Sequence, residues 1–106
     1  MSGAAPPPDV RVELRISADH AAYAGHFPGH PILPGAVLLD EALHEIARSR
    51  GIELLRWRIS SAKFLEPVRP GDELFLEHSS PSDGIIRFVI RAAGRAVASG
   101  ILSHDA

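Results

Sequence analysis

With 106 residues, the chain has room for one domain with one core and little more. Its 45% hydrophobic and 23% charged residues are those of an ordinary globular protein, and a net charge of −2 gives no basic surplus for binding nucleic acid. Without cysteine there can be neither disulfides nor thiolate chemistry nor a cysteine zinc site. No apolar run is long enough to span a bilayer, and no basic stretch followed by an apolar one opens the chain, so a cytoplasmic protein without membrane contact is expected.

Residues 1–9, MSGAAPPPD, are small, polar and rich in proline, and are expected to form a flexible lead-in to a single domain over 10–106. Val10, Val12, Leu14 and Ile16 alternate with Arg11, Glu13 and Arg15, the pattern of a half-buried strand. Residues 17–34 are long, irregular and rich in His, Gly and Pro, which marks a functional loop. A helix is predicted from about Gly35 to Ser49, stopped by Gly51. Its first turn is apolar all round, as in a helix wrapped by other structure.

Strands follow. A long β-like segment around Leu54–Leu65 leads to Pro67 and to the turn Arg69-Pro70-Gly71-Asp72, then a strand over Glu73–Ser79 and a turn over Pro81–Gly84. Ile85–Ala92 and Arg95–Ser103 pair as a hairpin across Ala93-Gly94. One helix among strands joined by short antiparallel connections is an α+β fold.

The chemistry concentrates in residues 25–40, GHFPGHPILPGAVLLD. Three prolines and three glycines stiffen a loop carrying His26, and the loop runs into a helix that places Asp40 about a turn and a half inside it. A histidine, a carboxylate and a helix N-terminus are the parts of an acid–base site with an oxyanion pocket. Asp40 shares a polar stripe with Glu41, His44, Glu45 and Arg48, which is also the pattern of a plain solvated helix face. His30 fits a loop or interface role, and His20, His78 and His104 are expected at the surface. A metal site is not expected, since the histidine spacing matches no metal motif and HEIAR lacks the second histidine of the zinc-protease pattern. Nor is there a Gly-x-Ser-x-Gly elbow for a serine nucleophile.

The run GHFPGHPILPGAVLLDEAL, with KFLEPVRPGDEL downstream, resembles the 3-hydroxyacyl-[acyl-carrier-protein] dehydratases of the hot-dog fold over residues 24–76. That resemblance implies an antiparallel sheet curled around one central helix, and dimers whose sheets join edge to edge with sites built from both chains. It implies catalytic roles for His26 as base and Asp40 as acid, and a backbone N–H at Gly35 for the thioester carbonyl. Phe27, Ala36 and His44 fall beside those positions as substrate-binding candidates; at His44 the family usually has glutamine. The partner implied is acyl carrier protein, for which Arg56, Arg58, Lys63 and Arg69 are candidate contacts, and no cofactor is required. Ala36 with Val37–Leu39 is expected to line the acyl channel. The alternatives on the same scaffold are an isomerase, a thioesterase, or a non-catalytic acyl-binding subunit.

Overall fold

The computed structural model describes residues 8–16 and 32–104. Five strands, β1 (Val10–Leu14), β2 (Arg58–Phe64), β3 (Leu74–His78), β4 (Ile85–Ala92) and β5 (Arg95–Ser103), accompany one helix, α1 (Gly35–Arg50). The strands form one sheet in the order β1-β3-β4-β5-β2, every neighbouring pair antiparallel. The α+β architecture expected from the sequence is therefore present.

Alternation decides which side of the sheet meets the helix. Leu74 and Leu76 of β3, Ile86, Phe88 and Ile90 of β4, and Ala98 and Leu102 of β5 are buried on the inner face. Against them α1 presents Leu38, Ala42 and Ile46, one residue per turn along a single stripe. Two register shifts bend the sheet: one in β2 between Ile59 and Ser61, the other between β4 and β5 at Ile90/Arg91. Bulges of this kind increase local twist, which lets the sheet curl toward the helix.

Several elements differ from their sequence expectations in extent. The long segment expected from Leu54 begins with a 3-10 turn over Leu54–Arg56, and β2 starts only at Arg58. An Arg56–Glu53 ion pair at 2.8 Å and the Trp57 N–H bond to the Leu54 carbonyl favour the turn locally. The first strand ends at Leu14 rather than Ile16, while α1 continues one residue further than expected, to Arg50, and is closed by Gly51 in the left-handed conformation at φ 67°. The first helical turn is less enclosed within one chain than its composition suggests, with Ala36 exposed and Val37 and Leu39 half-buried. The edge strand β2 is exposed along nearly its whole length. Ile59, Phe64 and Leu65 remain 43%, 52% and 55% accessible, so an apolar edge lies beyond the reach of the helix. Among the described residues, no helix is long and apolar enough to cross a membrane.

His78 is not a surface residue. It closes the buried series Leu74, Leu76, His78 on the inner face of β3 and is fully buried. Arg50, from the last turn of α1, donates from Nε to its Nδ1 at 2.9 Å and from Nη2 to its carbonyl oxygen at 3.2 Å. Arg50 also pairs with Asp9, which accepts a bond from Ser80 Oγ at 2.7 Å. Burial, then the Arg50 charge, pushes the His78 imidazole below its ordinary value. His104 is half-buried rather than exposed, its ring 4.9 Å from that of Trp57.

Candidate active site

The start of α1 is the most distinctive polar feature near the core. Pro34 caps it with an extended ψ of 140° and offers no side-chain acceptor, and its carbonyl takes the N–H groups of Val37 and Leu38 at 3.0 and 3.1 Å. The N–H groups of Gly35 and Ala36 find no acceptor among the described residues. No acidic side chain stands in the first turn, so the partial positive charge of the helix end is left unopposed. An oxygen that gains negative charge during a reaction would be held here by donors already in place.

The second sequence motif builds the wall around that helix end. Leu33 N–H bonds to the Val68 carbonyl at 2.8 Å, which fixes the approach to the helix against the segment that follows β2. Leu33, Gly35 and Leu38 from one side, and Phe64, Leu65, Glu66, Pro67 and Val68 from the other, line an open cavity of about 220 Å³. The glycine leaves room for the Phe64 ring. A Cβ at position 35 would lie 2.9–3.0 Å from three atoms of the Phe64 ring, closer than carbon atoms pack.

Asp40 and His44 lie one turn apart on the exposed side of α1, each side chain 67% accessible. His44 Nδ1 is 2.8 Å from the Asp40 carbonyl oxygen and 3.5 Å from its Oδ1. Five residues separate Gly35 from Asp40, which places them about 140° apart around the helix. Within one chain, then, Gly35 lines the cavity and Asp40 does not. His26 and Phe27 lie outside the described residues. Ala36 is exposed and does not line the cavity, which takes Gly35 and Leu38 from the helix instead.

The four candidate carrier contacts differ in their local partners. Arg56 is paired with Glu53, Arg58 is itself engaged in an interaction, and Arg69 sits in the turn where its N–H bonds Asp72 at 2.9 Å. Lys63 stands on the outer face of β2, five residues or about 16 Å along the strand from Arg58. What sequence reasoning missed is Phe64. Its signal was its place in the motif KFLEPV, but nothing in the sequence brings residue 64 to residue 35.

Comparison with known proteins bears on the same residues. A family model described as ApeI-like, ApeI dehydratase, matches residues 4–101. The chain belongs to this family. The 3-hydroxyacyl-[acyl-carrier-protein] dehydratase FabZ of Geotalea uraniireducens is 33% identical over 101 residues, covering 86% of this chain and 68% of that protein. The FabZ of Mannheimia succiniciproducens is 42% identical over 92 residues, covering 74% of this chain and 59% of that protein. Among solved structures, the dehydratase heterocomplex ApeI:P from Xenorhabdus doucetiae superposes with a TM-score of 0.71 at 23% identity, over 88% of this chain and 83% of that one. The fold of this ApeI-like protein is accordingly the hot-dog fold, with α1 as its central helix.

Proposed function

We propose that the protein dehydrates (3R)-3-hydroxyacyl thioesters on acyl carrier protein to the trans-2-enoyl thioesters, in fatty-acid or polyene-type lipid synthesis. The observation that carries this reading is the uncapped N–H of Gly35 beside an apolar cavity, in a chain of the ApeI-like family. In this reading the thioester carbonyl accepts from the Gly35 N–H, and His26 removes the proton from the α-carbon. Electron density moves onto that carbonyl oxygen, where the N–H donor and the helix dipole oppose it. The electrons then return to form the C2–C3 double bond as the C3–O bond breaks, and Asp40 gives its proton to the departing hydroxide, which leaves as water. His26 passes its proton to solvent and Asp40 regains one, which completes the cycle without a cofactor. His44, one turn along, lies with Nδ1 3.5 Å from the Asp40 carboxyl, while Phe27 and Ala36 flank the thioester.

This reading takes two chains, because Asp40 is exposed and does not line the cavity of its own chain. A second hot-dog chain across the apolar edge of β2 supplies the missing carboxyl and covers Ile59, Phe64 and Leu65. A second copy is the simplest occupant; a non-identical hot-dog subunit is the other, and ApeI:P from Xenorhabdus doucetiae is a dehydratase heterocomplex. Arg56, Arg58, Lys63 and Arg69 would meet the carrier as separate contacts along the β2 edge and its following turn.

The test is turnover of a short and a medium 3-hydroxyacyl carrier protein, following enoyl formation beside release of free thiol. Enoyl product from the wild type, abolished by His26→Ala or by Asp40→Ala, is the expected result. Free thiol without enoyl product would assign the protein to the thioesterases instead, and a migrated double bond to the isomerases.

A further inference from the structure

Phe64 is a large aromatic residue at the end of an exposed edge strand, where solvation favours charged side chains. It pairs with Ala98 on the inner face of the sheet, and its ring occupies the space a Cβ at Gly35 would need. The ring therefore forms part of the cavity wall beside the first turn of the helix, together with Leu33 and Leu38. An acyl group that enters this cavity to reach Gly35 would lie alongside the ring. The cavity holds about 220 Å³ on one chain, so a large ring on its wall takes up a substantial share of the space beside Gly35.

We infer that Phe64 is the specificity-determining residue for the acyl group, its ring setting how much chain fits beside Gly35. The inference rests on the acyl-thioester reading of the site and moves size selection from Ala36, which does not line the cavity, to a residue on the facing strand. Gly35 and Phe64 act as a matched pair: the missing side chain at one position makes space for the ring at the other.

The experiment compares wild type, Phe64→Ala, Phe64→Leu and Phe64→Trp on four-carbon and eight-carbon 3-hydroxyacyl carrier proteins. Shortening the side chain should raise the ratio of kcat/KM for eight carbons over four by about tenfold or more, since one methylene in an apolar pocket discriminates by roughly 10–200-fold. Phe64→Trp should lower the same ratio. A purely structural role would depress both substrates together and leave the ratio unmoved, and an unmoved ratio in all three variants of an active enzyme overturns the inference while sparing the dehydratase reading. Absence of turnover by the wild type would overturn both. A second measurement, of melting temperature, tests the contact itself. Gly35→Ala should destabilise the wild type more than it destabilises the Phe64→Ala background; equal losses would show that the ring does not rest on Gly35.

Discussion

Replacing Arg50 by Met should cost the fold far more than any other single arginine change on α1. The guanidinium is 11% exposed, ties the end of the helix to β3 through Nδ1 and the carbonyl of His78, and reaches the residue before β1 through Asp9. Met keeps an unbranched stem of similar length, so packing is conserved while the donors vanish. His78 is fully buried and its Nε2 already lacks a partner among the described residues, so loss of Arg50 leaves both ring nitrogens unsatisfied. An orphaned buried acceptor costs about 1–3 kcal/mol, and Nδ1 is the one newly orphaned here, since the His78 carbonyl keeps its bond from the Asp9 N–H. For a domain of this size each kcal/mol moves the melting temperature by about 4–8 °C, so a drop of about 4 °C or more is expected. Arg48→Met is the control, since Arg48 pairs only with residues of its own helix in the described structure and its side chain is 73% exposed; it should leave the melting curve within scatter. Both variants must be compared at one protein concentration, because association stabilises the folded state. A loss for Arg50→Met indistinguishable from that of Arg48→Met would refute the reasoning that this junction holds the helix to the sheet.

The same junction sets an acid limit. His78 titrates below its ordinary value when folded, so above about 6.5 both states hold a neutral ring and it contributes nothing to pH dependence. Below that, the unfolded chain takes up a proton that the folded chain resists beside Arg50, even with Asp9 and Glu45 nearby, and stability falls as pH falls. Denaturant melts from pH 7.5 to 5 should show this slope in wild type and a shallower one in His78→Gln; identical slopes would contradict it. Asp9 is held down to about 2 by its bonds from Arg50 and Ser80, so its own contribution persists above 3.8 and fades between there and about 2. At the sheet edge, Ile59→Lys combined with Leu65→Lys should shift sedimentation from dimer toward monomer, whereas an unchanged dimer would place the interface elsewhere.

Much of this architecture is legible from local pattern. The alternation of β1, the stop at Gly51 and the hairpin over Ala93 and Gly94, both at positive φ, follow from rules that operate within a few residues. The site is legible as a motif for the same reason: loop, helix start and carboxylate are contiguous. What sequence concealed is tertiary. Phe64 meets Gly35 across 29 positions, and the reason for glycine at 35 is visible only once the ring is in place. His78 reads as a surface histidine by type, yet the alternation Leu74, Leu76, His78 carries it inward, and only the arrival of Arg50 from the helix makes its burial tolerable. The 3-10 turn at Leu54–Arg56 reflects a local ion pair overriding a run that looks like strand.

The most direct test of the central claim is a mixing experiment with two dead variants, His26→Ala and Asp40→Asn. If each site takes His26 from one chain and Asp40 from the other, subunit exchange creates mixed dimers in which one site is intact and the other doubly altered. Half of the dimers would be mixed and half of their sites restored, so turnover of a 3-hydroxyacyl carrier protein should recover to about a quarter of wild type. A mixture that exchanges subunits yet stays inactive, beside an active wild type, would contradict the shared site and with it the assignment of acid and base to different chains.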